Sequence, residues 1–128
     1  MEKVNSERLL AVAKDASQHA YSPYSGIKVG AALLCENGKI YTGTNVENAS
    51  YGATICAERT AFVKAVSEGE RQFRCIAVAG SIGNLVPCGM CRQFMAEFNP
   101  EIVVIYEDEE GMMVETSLKE LFPSQFRL

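Results

Sequence analysis

The sequence predicts an α/β domain built on a mixed β-sheet, and three observations predict it. Apolar residues recur at helical spacing near the N-terminus, β-like apolar runs alternate with helical segments further on, and an Asn37-Gly38 step joins two neighbouring runs. Strand, helix, strand requires crossover connections and parallel pairing, whereas a tight turn requires an antiparallel return. The two signals together make the sheet mixed.

Ser6 is placed to cap a first helix in which Leu9, Leu10, Ala13, Ala16 and Ala20 form one apolar stripe, ending before Ser22-Pro23. That stripe is expected to pack on the sheet. Residues 27–36 read as a strand, Asn37-Gly38 as a two-residue hairpin turn, and 39–44 as the return strand. Helical segments follow over 56–68 and 88–98, interleaved with strands over 73–80 and 101–107. Gly111 separates the last long strand from a short one over 112–115, and a short helix over 117–122 closes the chain. No repeat, low-complexity tract or linker interrupts this order, so residues 1–128 are expected to form one catalytic domain.

Composition narrows the classes of function. With 128 residues, 48% of them hydrophobic, the chain can bury one ordinary core. Met1–Ser6 lacks the apolar stretch of a leader, and no apolar run approaches the ~18 residues of a membrane span. A cytoplasmic protein without a membrane partner is expected. The net charge is −4, the twelve Lys and Arg residues are scattered, and Glu107-Asp108-Glu109-Glu110 is acidic, so the basic stripe that neutralises phosphates is missing. A nucleic-acid partner is therefore not expected, and the acidic run reads as a solvated turn.

Five cysteines cannot all pair, and a chain without a secretory signal keeps its thiols reduced. Cys35 and Cys75 lie in apolar runs and read as small buried hydrophobes. Cys56-Ala57-Glu58 and Pro87-Cys88-Gly89-Met90-Cys91 read differently. They offer three thiolates and one carboxylate that need not be a ligand. A structural zinc site takes four protein ligands, whereas a catalytic site takes three and keeps a position open. A fourth ligand from Cys35, Cys75 or His19, or a Cys88–Cys91 disulfide, would instead make a structural zinc or redox-sensing protein, and would leave Glu58 without a task.

Both cysteine clusters fall at predicted helix N-termini, where unsatisfied N–H groups and the positive dipole end favour thiolate over thiol. Three thiolates around a divalent ion leave a net charge of about −1, so a nearby cation must offset them. Arg59 is the candidate for donating to thiolate sulfur, against the plainer reading of an Arg on a solvated helix face.

Four segments carry a resemblance. Tyr24–Ala32, Asn45–Ala49, Cys56–Ala61 and Pro87–Gln93 resemble, in order, the motifs of the small homotetrameric zinc-dependent cytidine deaminases, and they span nearly the whole chain. The resemblance implies a three-layer α/β/α fold with a five-stranded sheet. It further implies hydrolytic deamination of cytidine and deoxycytidine to uridine and deoxyuridine in pyrimidine salvage. Zn2+ would be held by Cys56, Cys88 and Cys91, Glu58 would move the protons, and no organic cofactor would be needed.

By the same resemblance Asn45 and Glu47 hold the ribose hydroxyls, and the backbone of Ala57 lies against the pyrimidine. Phe126 is lent to a neighbouring subunit, which would put the active sites at subunit interfaces of a homotetramer. Polar loop residues and an ordinary core aromatic are the plainer readings of Asn45, Glu47 and Phe126. Ile27 stands where relatives carry Phe, giving an apolar wall without a π face. That departure leaves a cytosine-containing antibiotic such as blasticidin S as the alternative substrate.

Overall fold

The computed structural model describes residues 3–128, with side chains from Asn5 onward. Part of the N-terminal stretch read above as lacking a leader, Met1 and Glu2, lies outside them. The elements run α1 (Lys3–Ala16), β1 (Val29–Cys35), β2 (Ile40–Thr44), α2 (Ala57–Ser67), β3 (Phe73–Gly80), α3 (Gly89–Phe98), β4 (Val103–Glu107), β5 (Met113–Ser117) and α4 (Leu118–Leu121). None of these helices is long and apolar enough to cross a membrane.

The five strands form one mixed sheet in the order β2-β1-β3-β4-β5. Only β3 and β4 pair in parallel, across α3; β1 pairs antiparallel with both β2 and β3. The expectation that each crossover helix would join adjacent parallel strands therefore fails for α2. The hairpin occupies one edge of β1, and the chain leaving β2 passes over it through α2 to fill the other edge with β3.

Two further expectations are corrected. Ser6 is buried inside α1 rather than capping it, and its hydroxyl donates to Glu115 Oε1 at 2.6 Å, tying α1 to β5. The hairpin loop has three residues, Glu36 to Gly38, with Cys35 N–H donating to Lys39 O at 2.9 Å. Gly38 takes a φ of 90° while Asn37 does not turn positive, the arrangement of a type I turn closed by a left-handed glycine.

Helices cover both faces of the sheet. On one side Leu9, Leu10 and Ala13 of α1 meet Ala32, Cys75, Ala77 and Ile105. On the other, α2 and α3 cover Leu33, Ile76, Val78 and Val104. There Phe62 packs on Phe73 and Phe98 with ring centroids 4.9 and 5.7 Å away, a cluster whose truncation would cost about 3–5 kcal/mol.

The placement of α2 fixes the site. Ala57, Ala61 and Ala65 recur every fourth residue and are fully buried, giving the helix a flat small-residue face. It lies on Gly43 of β2, where a Cβ would come within 2.5 Å of the Ala57 carbonyl and press on the Ala61 backbone. Only glycine allows that approach. The first turn of α2 is thereby pressed to the end of the sheet where β2 and β3 finish and β1 begins, the end at which α/β sheets place their ligands.

Candidate metal centre and substrate cavity

Cys56 and Cys88 are the N-cap residues of α2 and α3, both extended in backbone and neither using its side chain as a cap. Their sulfurs are left to face one another, 3.8 Å apart. Cys91, one turn into α3, is buried and completes a group whose three Sγ atoms all lie within 4.8 Å. Tetrahedral zinc with bonds of about 2.3 Å to sulfur holds its sulfurs about 3.8 Å apart. Both the spacing and the soft thiolate donors fit zinc. Among the described residues this is the one such cluster: Cys35 and Cys75 are buried away from it, and His19 is exposed. The described residues do not supply the fourth ligand that a structural site would need.

The protons of Cys56 and Cys91 are unequally held. Cys56 is pulled down to about 5, first by the hydrogen bond from Cys91 and then, against its burial, by the Arg59 guanidinium. Cys91 is pushed up by the same bond, so the pair shares one proton. Arg59 donates from Nη2 to Cys56 Sγ at 3.7 Å. Burial opposes its charge, yet the sulfur partners raise its pKa, and its buried Nε has no hydrogen-bond partner among the described residues. That orphaned donor costs about 1–3 kcal/mol, which the charge opposite sulfur must offset.

Glu58 occupies the first turn of α2 and is only 4% exposed. Burial pushes its carboxyl up to about 7, helped by the negative charge of Cys56 and opposed by a bond from its own backbone and by Arg59. A carboxyl there exchanges protons at neutral pH. It opens on a cavity of about 210 Å³ that Cys56, Cys88, Ala57 and Asn45 also line, with apolar walls from Val29, Ile55, Val78, Leu85 and Val86. Apolar walls with a few convergent polar groups suit a flat heteroaromatic ring.

Asn45 and Glu47 follow β2 on a segment pinned by paired Val46–Ile55 backbone bonds of 3.0 Å. The Asn45 amide is largely committed inward, accepting from Val29 N–H and donating to the Ile27 carbonyl, both at 2.8 Å. One amide hydrogen is left over. Glu47 does not line the Glu58 cavity. It lies in an adjoining hollow of about 410 Å³ with Tyr24, Ser25, Asn48 and Tyr51, and Thr54 lines both.

There the Glu47 carboxylate accepts from the Tyr24 and Ser25 backbone N–H groups at 2.9 and 3.1 Å and from the Ser25 hydroxyl. The Ser25 hydroxyl is the first cause of its lowered pKa. Ser25, Thr54, Leu85 and Val86 were not singled out from the sequence. For Ser25 the signal was present, since a short hydroxyl in the Tyr24-Ser25-Gly26 turn is suited to fixing a carboxylate.

Ile27 is half-buried and is not among the residues lining the Glu58 cavity; Val29 forms that wall, and Ile27 contributes its carbonyl to Asn45. Phe126 is 69% exposed and stands apart from the cavity, its backbone N–H and carbonyl both held by the Gln93 amide at 3.0 and 3.1 Å.

Comparison with known proteins agrees with this geometry. Residues 3–107 match the family model described as the cytidine and deoxycytidylate deaminase zinc-binding region. A cytidine deaminase from Sporosarcina psychrophila is 50% identical over 122 residues, covering 94% of this chain and 90% of that protein. A blasticidin-S deaminase from Bacillus cereus is 30% identical over 133 residues, covering 97% of this chain and 88% of that protein. The crystal structure of cytidine deaminase from Burkholderia pseudomallei superposes with a TM-score of 0.89 at 45% identity, covering 98% of this chain and 100% of that one. With three facing thiols, a buried carboxyl beside them and likeness along almost its whole length, the chain belongs to the zinc-dependent cytidine and deoxycytidylate deaminase family.

Proposed function

We propose that the chain converts cytidine and deoxycytidine to uridine and deoxyuridine by hydrolysis, releasing ammonia, as one catalytic domain over residues 1–128. The observation that carries this reading is a small apolar-walled cavity on which the buried Glu58 opens beside Cys56 and Cys88, two members of the cluster that Cys91 completes. Zinc bound by the three thiolates supplies Lewis acidity that makes a water molecule a nucleophile near neutral pH. The remaining work belongs to the chain.

Glu58, poised near 7, takes the proton of the attacking water, delivers a proton to ring N3, and passes one to the departing amine. Arg59 offsets the thiolate charge that would otherwise resist proton loss from water. The Ala57 backbone leaves room for the flat pyrimidine. The spare Asn45 hydrogen and the ordered Glu47 carboxylate suit a donor and an acceptor for the sugar hydroxyls, with Ser25 setting the carboxylate's direction.

A homotetramer with shared active sites is supported by Phe126, whose ring is exposed while its backbone is firmly held. A cytoplasmic place in pyrimidine salvage fits a chain in which no described helix spans a membrane. Blasticidin S is the second reading, favoured by the 30% identical relative. The 50% identical relative weighs more heavily for cytidine. Incubating the purified zinc-loaded protein with cytidine, deoxycytidine and blasticidin S, and following the absorbance of each, decides between them. Cytidine and deoxycytidine are expected to turn over fastest; conversion of blasticidin S alone would replace the first reading with the second.

A further inference from the structure

The segment that delivers Cys88 has no regular structure of its own. Residues 81–88 leave the end of β3 and reach α3 as irregular chain. Its first half is held by backbone: Ser81 N–H donates to Lys28 O at 2.9 Å and Asn84 N–H to Glu107 O at 2.7 Å. Among the described residues no such bond holds Leu85, Val86 or Pro87. Pro87 has no N–H to offer, so its carbonyl is the handle left immediately before the ligand.

Arg92 takes that handle. Its Nε–H donates to the Pro87 carbonyl at 2.7 Å, while Nη1–H donates to the carbonyl of Leu121, the last residue of α4, at 2.9 Å. One planar guanidinium thus braces the segment entering Cys88 against α4, from the position directly after Cys91. Two carbonyls on separate segments suit the rigid fork of Arg, whereas an ammonium on a flexible stem cannot reproduce it.

We infer that Arg92 is a positioning residue for the metal centre: by fixing the Pro87 carbonyl it holds the Cys88 sulfur at zinc-binding distance from Cys56. The inference rests on Cys88 being a zinc ligand, the reading given above. Partners that orient a ligand without touching the metal change metal affinity by about 10- to 100-fold when removed. Arg92→Met is therefore expected to weaken zinc binding by that factor, with Arg92→Lys between it and the wild type.

The test is competition for zinc between the full chain and the chromogenic chelator 4-(2-pyridylazo)resorcinol under native conditions. Leu9→Ala, in the core beneath α1 on the opposite face of the sheet, serves as a control that lowers stability without touching the segment. Weakened zinc binding in the Arg92 variants with wild-type affinity in Leu9→Ala supports the inference, and Arg92→Lys carries the test if Arg92→Met does not fold. Wild-type affinity in the Arg92 variants, or equal weakening in Leu9→Ala, overturns it. Cys88→Ala separates the two levels. If Cys88→Ala loses zinc while the Arg92 variants keep it, the role of Arg92 alone is lost; if Cys88→Ala keeps zinc, the ligand reading goes and this inference with it.

Discussion

The five cysteines divide into two groups that share a side chain and little else. Cys35, ending β1, and Cys75, within β3, are sealed in the two layers of the core, where burial first and acidic neighbours second push their thiols up to about 11 and about 12. Cys91 is just as inaccessible. It nevertheless belongs to a cluster in which Cys56 is drawn down to about 5, because sulfur and guanidinium partners outweigh burial there. Burial therefore does not decide what a cysteine does in this molecule. Position does: the strand cysteines are packed within the apolar core layers, and the helix-end cysteines meet one another.

The sharpest way to break the comparison is to remove a member of the helix-end group. Cys88→Ala is expected to abolish stoichiometric zinc and reduce turnover to background, read by metal analysis and by cytidine absorbance. Retention of one zinc per chain with intact turnover would put Cys88 on the same footing as Cys35 and Cys75. Next in size is Glu58→Gln, which keeps the shape beside the cluster and removes the proton carrier. Zinc should stay bound while kcat falls about 10²–10⁴-fold. Near wild-type turnover would remove Glu58 from the chemistry.

The helix-end group was legible in the sequence because its signal is local. Two short motifs, each before an apolar helical run, place thiols at helix N-termini without knowledge of the rest of the fold. The five strands and most helix bounds were legible for the same reason. What escaped depends on contacts between distant residues. Nothing near β3 announces that it will pair with β1, and Ser6 looks like a cap until β5 brings Glu115 to it. Ser25 lies 22 residues before the carboxylate it fixes, and Arg92 lies 29 residues before the Leu121 carbonyl it holds. Motif position puts Ile27 beside the base; the structure adds that its carbonyl accepts from Asn45 and that Val29 lines the Glu58 cavity.

A smaller effect is expected from the strand group. Cys75 touches the apolar layer formed by Leu9, Ala32 and Ile105, so Cys75→Ala deletes packing and nothing else. About 1 kcal/mol of stability should be lost, or roughly 3–6 °C in Tm, with zinc content and kcat unchanged. Loss of zinc in this variant would join the two groups after all.

The effect most specific to the strand group follows from protons rather than packing. Thiols ionise at about 9.0 when unfolded but are held to about 11 in Cys35 and about 12 in Cys75, so the fold favours their neutral form. Below pH 9 both states keep the protons and the preference is fully present. Above it the unfolded chain has released protons that the native chain still binds, and stability must fall as pH rises. The decline should run from about 9 towards the two folded values, ending earlier for Cys35 than for Cys75. Tyr41, whose hydroxyl is raised by burial and by its bond to Glu70, adds a slope of the same sign, so the wild type alone cannot isolate the thiols. The double variant Cys35→Ala/Cys75→Ala can. Urea midpoints of the zinc-loaded wild type and double variant, measured at pH 8.0, 9.5 and 10.5 (roughly the span that the thiol linkage predicts), should converge as pH rises, because only the wild type has the two strand-thiol protons to lose. Parallel curves would mean that the strand thiols ionise as freely in the fold as out of it, and the division between the two groups would then rest on geometry alone.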